Sequence, residues 1–310
     1  MTGMQQPRRG CLAATQRVSV IVVNYNAGDL LRGCVSSVLP CVSQVVVVDN
    51  ASSDHSVRAL QGLPGAERLH IIHAGRNLGF AAACNLGIAA AQGDRLLFLN
   101  PDCLVEPTTV SRLLEVLESS STYGMAGGLL LNPDHTEQRG GRRKLPTPWS
   151  ALLRFSGLTF LARRWPRWFP VFDLNESPLP PAPEPVEAIS GACMLVKSQA
   201  LQAVGGWDEG YFLHCEDLDW CKRFSLGGWR IVFVPDARVV HAQGACSRSR
   251  PLFVEWHKHK GMLRYYRKFT HGWRYWLLVG PVVVGVFAHF AGLALRHLIV
   301  SAVQKKPNQS

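Results

Sequence analysis

Four short apolar runs, each followed by a polar segment, limit this chain more than any other feature. Val18-Ser19-Val20-Ile21-Val22-Val23 closes on Asn24-Tyr25-Asn26, and Val45 to Val48 closes on Asp49. Leu69-His70-Ile71-Ile72 precedes Ala74-Gly75-Arg76-Asn77, and Leu96-Leu97-Phe98-Leu99 closes on Asn100. Runs of this length that are apolar at almost every position belong to strands covered on both faces. Between them, Leu30, Leu31, Cys34, Val35 and Val38, then Phe80, Cys84, Ile88 and Ala91, recur at helical spacing. The alternation predicts an α/β fold with a doubly wound, parallel sheet.

A further helix is predicted from Thr108, behind Pro107, after which the alternation weakens. Residues 132–186 are rich in Pro, Arg and Trp and read as an insertion. Strand character returns at Ile189 to Val196 and Ile231 to Val234, with a helix around Asp217 to Leu226 between them. These elements place a catalytic domain at 17–250, after a mobile tail at 1–16 whose Arg8-Arg9 lacks an apolar stretch long enough for a signal peptide. Residues 251–310 form a basic and hydrophobic C-terminal region. Within it 276–295 holds no Asp, Glu, Lys or Arg, and basic residues flank it on both sides. That pattern fits a membrane span or re-entrant hairpin, or a hydrophobic helix packed on the protein.

Lys and Arg number 33 against 22 Asp and Glu, a formal charge of +11, which favours anionic partners. Arg139, Arg142, Arg143, Lys144, Arg154, Arg163, Arg164 and Arg167 lie among Trp149, Trp165 and Trp168, outside any nucleic-acid-binding motif. Contact with a membrane surface is therefore expected, with a solvated basic face as the alternative and no nucleic acid as partner. The nine cysteines form no C-x-x-C pair, as in a reducing cytoplasm. Neither G-x-G-x-x-G nor G-x-x-x-x-G-K-[ST] is present, which argues against dinucleotide and P-loop chemistry.

Polar residues at one strand end serve as turns and caps as readily as they serve a ligand. Four such ends in register on one sheet edge point to a site beyond the carboxyl ends of the strands. Asp49 suits the base or sugar of a nucleotide, and Asp102 suits a hard cation held against a diphosphate. Glu216-Asp217-Leu218-Asp219 opens a helix, where acidity is favoured by the dipole alone. A carboxylate there also suits removal of a proton from an acceptor hydroxyl.

The ordered set Val-Ile-Val-Val-Asn-Tyr-Asn (20–26), Val-Val-Asp-Asn-Ala-Ser-Ser-Asp (47–54), Asn-Leu-Gly-Phe-Ala-Ala-Ala-Cys-Asn (77–85), Leu-Asn-Pro-Asp (99–102), Gly-Ala-Cys-Met-Leu-Val (191–196), Gly-Gly-Trp-Asp-Glu-Gly-Tyr-Phe-Leu (205–213) and Glu-Asp-Leu-Asp-Trp-Cys-Lys-Arg (216–223) resembles the inverting family 2 glycosyltransferases of GT-A fold. Within them it is most similar to the rhamnosyltransferase-like branch of O-antigen and cell-wall enzymes.

The resemblance covers most of 18–245 and implies a Rossmann-like mixed sheet. It implies donor contacts from Asn24, Asn26, Asp49, Arg76, Asn85, Asn100 and Asp102, with Asp49 on the nucleobase. Mg2+ or Mn2+ would be held by Asp102 and His241. Asn100 stands where the family's D-x-D motif has its first carboxylate, so one formal charge is missing there. Asp217 would be the catalytic base with Glu216 beside it, and Trp207 would meet the acceptor. The implied reaction moves a sugar, L-rhamnose from dTDP-rhamnose, with other dTDP- or UDP-sugars as alternatives. The acceptor would be a glycan or polyprenyl-linked molecule at the cytoplasmic face of a bacterial inner membrane. The alternatives are a catalytically weak or dead membrane-bound scaffold of the same fold, suggested by Asn100, and a basic nucleic-acid-binding protein.

Overall fold

The structure, a computed structural model, describes residues 17–155, 165, 172–242, 251–273 and, in part, 277–292. Its elements in chain order are β1 (Val18–Asn24), α1 (Asp29–Val38), β2 (Gln44–Asp49), β3 (Leu69–His73), α2 (Phe80–Ala90), β4 (Arg95–Leu99), β5 (Cys103–Val105), α3 (Thr109–Glu118) and β6 (Tyr123–Leu131). There follow β7 (Arg142–Arg143), α4 (Pro148–Phe155), β8 (Glu184–Val186), β9 (Ala188–Ile189), β10 (Cys193–Lys197), α5 (Ser198–Val204), α6 (Glu216–Leu226), β11 (Arg230–His241) and α7 (Pro251–Phe269).

One nine-stranded sheet runs in the order β3-β2-β1-β4-β10-β6-β11-β5, with β8 also pairing β11. The first four strands are parallel, as the apolar runs predict. Every residue of β1 and of β2 is buried, and α1 covers them with Leu31, Cys34, Val35 and Val38. On α2 the buried residues are Ala81, Ala83, Cys84 and Gly87, all small. A Cβ at Gly87 would sit 2.4 Å from Ile21, so this helix lies against β1 only because that side chain is absent.

The far half departs from a purely parallel sheet. β10 runs antiparallel to both β4 and β6, and β11 is parallel to β6 but antiparallel to β5. The sheet is therefore mixed. The strand expected over Ile189 to Val196 is broken at Ser190–Ala192, because Ser190 N–H donates to Gly141 O and Gly191 N–H to the Asp217 carboxylate. These bonds turn the backbone away from a ladder.

The described residues within Met1–Leu145, Asp173–Phe212 and Glu216–Cys246 form one compact unit, and those within Pro146–Phe172, Leu213–Cys215 and Ser247–Ser310 a second. In the second unit Tyr265 and Tyr266 of α7 are buried, and Tyr266 Oη donates to Thr147 O at 3.3 Å. Phe253, Trp256, Trp273, Leu277, Val284 and Phe287 are exposed. The described positions from 277 to 292 are helical. No helix among the described residues is long and apolar enough to cross a membrane. The expected span at 276–295 lies partly outside the described residues, and the tail at 1–16 lies wholly outside them.

Candidate active site

The sheet register brings the carboxyl ends of β1, β2, β4 and β11 to one edge. Asn24 pairs with Asp49, Leu99 with Cys193, and His241 with Cys103. Residues from loops far apart in sequence therefore meet at this edge.

At its β1–β2 end the loops hold each other. Asn24 is fully buried, and its Nδ2 lies 3.0 Å from Asp49 Oδ1, 2.9 Å from Ser52 Oγ and 2.8 Å from Ser56 Oγ. Asn26 adopts φ 53°, its N–H donates to Ser52 Oγ, and its Oδ1 accepts from Ser53 N–H at 2.8 Å. Gly28 N–H donates to Asp54 Oδ2. Asp49 is 6% exposed, accepts from Ser52 N–H on Oδ1, and meets His73 Nδ1 with Oδ2 at 3.3 Å. Asn50 accepts from Leu78 N–H and donates to Asn77 Oδ1 and Gly79 O, which fastens the next loop. Asn24 thus shapes the loop through Asp49, while Arg76 stands exposed beside it.

At the β4–β11 end Asp102 and His241 converge. His241 Nε2 lies 3.1 Å from Asp102 Oδ1, and Asn100 Nδ2 lies 3.3 Å from the same nitrogen. Gln138 fixes the ring. Its Nε2 donates to His241 O and Asn132 Oδ1, both at 3.1 Å, so its Oε1 faces His241 Nδ1 at 2.6 Å and must accept from it. With the proton on Nδ1, the Nε2 lone pair points at a carboxylate oxygen. The contact is satisfied either by a second proton, on Nε2, or by a metal cation between the two. Two ligands at about 2.1 Å on adjacent corners of an octahedral cation lie about 3.0 Å apart, so the pair fits Mg2+ or Mn2+. Cys103 Sγ is also within 4.8 Å. Burial pushes that thiol well above its usual range, its Sγ donates to Ala192 O, and a soft sulfur is a poor donor for a hard cation.

The third part of the site opens α6. Asp217 pairs with Arg143, accepts from Gly191 N–H on Oδ2 at 3.3 Å and from Leu218 N–H on Oδ1 at 2.8 Å. Glu216 is 8% exposed, and burial, then the charge of Asp217, pushes its carboxyl up to about 8. At neutral pH the two neighbours therefore differ: Glu216 is neutral beside Asp217, which has a cation as partner. Ala192 O accepts from Asn100 N–H, so the Ser190–Ala192 turn joins the Asn100–Asp102 loop to Asp217 through two hydrogen bonds.

Trp207 is 3% exposed and packs among Phe80, Phe98 and Trp220 at ring separations of 5.6, 5.2 and 4.1 Å. Asn85 holds its backbone, accepting from Trp207 N–H and donating to Trp207 O, both at 2.9 Å. A Cβ on Gly191 would lie 3.7 Å from the Trp207 ring and 3.5 Å from Asp217. Trp207 therefore forms a wall behind Asp217 and offers no open ring face, and Asn85 acts first on that wall.

Arg142 and Arg143, expected at a lipid surface, are engaged within the protein instead, while Arg139 stays exposed. Arg139 pairs with Asp173; Arg142, 3% exposed, pairs with Glu137; Arg143 pairs with Asp217. Arg163, Arg164, Arg167 and Trp168 lie outside the described residues. Arg143 and Gln138 gave no sign of their positions in the sequence, since each depends on a contact more than 70 residues away.

The mixed sheet, with polar loops gathered at one edge and an aspartate–histidine pair beside a carboxylate pair, defines a nucleotide-sugar-dependent glycosyltransferase of GT-A-like fold. The chain belongs to glycosyl transferase family 2: residues 19–171 match the family described as "Glycosyl transferase family 2", and the chain is rhamnosyltransferase-like within it. It is 30% identical over 244 residues to the N-acetylglucosaminyl-diphospho-decaprenol L-rhamnosyltransferase of Mycobacterium tuberculosis, covering 73% of this chain and 76% of that one. It is 24% identical to rhamnosyltransferase WbbL of Escherichia coli K12, over 75% of this chain and 86% of that one. Among solved structures it is similar to a mannosyltransferase from Pyrobaculum calidifontis in complex with GDP-Man and Mn2+. That likeness has a TM-score of 0.55 at 17% identity, covering 94% of this chain and 81% of the other.

Proposed function

We propose that this glycosyltransferase of polysaccharide synthesis transfers L-rhamnose from dTDP-rhamnose, with inversion, to a polyprenyl-diphosphate-linked glycan at the cytoplasmic face of a bacterial inner membrane. The observation that carries the reading is the convergence of Asp102 and His241 on one point, joined through the Ser190–Ala192 turn to Asp217. Asp49 and Arg76 receive the nucleotide, in a loop that Asn24 and Asn26 hold in shape. Asp102 and His241 would hold Mg2+ or Mn2+, which would supply positive charge for the leaving diphosphate. Asn100 lies beside them as a neutral donor. Asp217 takes the proton of the acceptor hydroxyl, with Glu216 as its neutral neighbour, and Asn85 and Trp207 support that base. The sugar and acceptor rest on the M. tuberculosis and E. coli relatives, whose names carry rhamnosyl transfer and, in the first, a decaprenol-linked acceptor.

The membrane part rests on charge. Residues 146–172, 213–215 and 247–310 hold fifteen of the Lys and Arg but a single acid, Glu255. Exposed Phe253, Trp256, Trp273 and Leu277 lie in the same unit. Basic residues with interfacial aromatics are the composition that binds an anionic leaflet.

Asp102→Ala and Asp217→Asn are expected to abolish transfer from dTDP-rhamnose to a decaprenyl-diphosphate-linked acceptor while circular dichroism stays unchanged. Wild-type turnover in either variant removes that residue from the mechanism. Sedimentation with vesicles containing anionic lipid, but not with neutral vesicles, tests the membrane assignment.

A further inference from the structure

Asp217 is held by a residue that the sequence gives no reason to connect with it. Arg143 belongs to β7, a two-residue strand that pairs antiparallel with β9 in a sheet of its own. Its neighbour Arg142 anchors that strand. Arg142 is 3% exposed at its side chain, pairs with Glu137 through Nε at 2.8 Å, and donates from Nη2 to Ser177 O at 2.7 Å. Its guanidinium also lies over the Phe233 ring at 5.4 Å. With Arg142 locked in this way, the next side chain leaves the strand toward α6. There its Nη2 meets Asp217 Oδ2, and it also reaches Ile189 O at 3.4 Å. Both partners of the ion pair are 15% exposed, so solvent screens it far less than a surface pair.

We propose that Arg143 is a positioning residue for the transfer reaction, pairing with the Asp217 carboxylate and fixing it in rotation against the acceptor hydroxyl. The inference rests on the reading of Asp217 as the base. A carboxylate beside a buried carboxyl group is under pressure to share a proton with it, because two adjacent negative charges in a poorly solvated place repel. The groups that face Asp217 decide the outcome. From β7 comes the Arg143 cation, and from α6 itself come Glu216 and Cys221, the latter a thiol that burial pushes up to about 12. The β9–β10 turn contributes only the Gly191 N–H. Among the described residues Arg143 is the cation paired with Asp217. It pairs with Asp217 and so gives two chemically similar carboxyl groups different surroundings.

Arg143 also limits geometry. Gly191 N–H and Leu218 N–H each engage one oxygen of Asp217, and Arg143 adds a second donor to Oδ2. Rotation about the Cβ–Cγ bond would break all of these together. The lone pairs left over have fixed directions, as a base that must meet one hydroxyl requires.

The test uses the full-length protein labelled with 13C at aspartate carboxyls, the Asp217 resonance being assigned by its loss in Asp217→Asn. In Arg143→Gln the titration midpoint of this resonance is expected to rise by about one pH unit or more, the range for an aspartate that loses an adjacent cation. Arg143→Lys, which keeps the charge but not the fork, is expected to restore most of the midpoint. The acid limb of the kcat/KM profile for rhamnosyl transfer is expected to follow the resonance in each variant, with the KM for dTDP-rhamnose little changed.

An unmoved Asp217 midpoint in Arg143→Gln overturns the inference. A midpoint that moves while the kcat/KM limb stays in place upholds the Arg143–Asp217 coupling and removes Asp217 as the base, so the two failures are separable. If Arg143→Gln does not fold, the Arg143→Lys midpoint decides: a value unlike the wild type, with the charge retained, overturns the assignment to charge.

Discussion

Replacing Gln138 by leucine tests the metal site without touching a ligand. Gln138 is 2% exposed and makes three side-chain hydrogen bonds: it accepts from His241 Nδ1 at 2.6 Å and donates to His241 O and Asn132 Oδ1. Leucine fills a similar volume but cannot accept from Nδ1, so nothing holds the proton there and Nε2 is no longer kept bare. Loss of such an outer partner costs about 10–100-fold in metal affinity, or about 1.4–2.7 kcal/mol. Stability falls as well, because a buried N–H and a buried carbonyl lose partners at about 1–3 kcal/mol each. The two effects are separated by titrating Mn2+ well below the melting transition, with dTDP at fixed concentration and free Mn2+ read by electron paramagnetic resonance. Gln138→Glu keeps an acceptor at Nδ1 while losing the two donated bonds, so it should bind Mn2+ nearly as the wild type does but melt earlier. If Gln138→Leu binds Mn2+ within twofold of wild type while His241→Ala does not bind it, the tautomer argument is refuted.

Three other perturbations probe different parts of the molecule. Burial raises the Glu216 carboxyl from 4.5 to about 8, so the folded state holds a proton that the unfolded chain releases. The associated stability is complete below about 4.5 and is lost as pH rises through about 8. Glu216→Gln should therefore flatten the fall of Tm between pH 6 and 9 relative to wild type, and parallel curves would contradict a buried neutral acid. Gly79 has φ 84°, and a Cβ there would lie 2.5 Å from Phe212 O, so Gly79→Ala should cost about 2 kcal/mol or more, read as a lower urea midpoint. Arg142→Met leaves Glu137 without its partner at a site 15% exposed and should cost about 3–5 kcal/mol; an unchanged midpoint would show that the pair does not anchor β7.

The parallel half of the sheet was legible because its signal is local. Val18 to Val23 and Val45 to Val48 are apolar at almost every position, and only strands covered on both faces need that. The far half was less legible, since the direction of β10 is set by its neighbours β4 and β6 and not by its own composition. The site divides along the same line. Asp49 and Asp102 follow strand ends and were visible there, whereas Gln138 and Arg143 lie in a segment whose composition suggests a loose basic surface. Their roles depend on pairing with His241 and Asp217, 103 and 74 residues further along the chain. Trp207 shows the limit from the other side. Its ring suits sugar stacking in isolation, but three aromatic neighbours occupy the space around it.

The charges of the site explain why a family motif can lose a carboxylate here. A nucleoside diphosphate brings at least two negative charges, and each uncompensated carboxylate near it raises the cost of entry. Asp217 carries its own cation in Arg143, and burial keeps Glu216 neutral. Asp49 shares its charge with the donors of Asn24, Ser52 and His73 at the nucleobase end, away from the diphosphate. With Asn100 neutral as well, Asp102 is the carboxylate left facing the converging lone pair of His241. A divalent cation held by one carboxylate and one neutral imidazole keeps more positive charge for an incoming diphosphate than one held by two carboxylates. A cation bound at Asp102 and His241 would, with Asn100 in place of a first carboxylate, depend more on the nucleotide and less on the protein, so metal and donor binding would be mutually dependent.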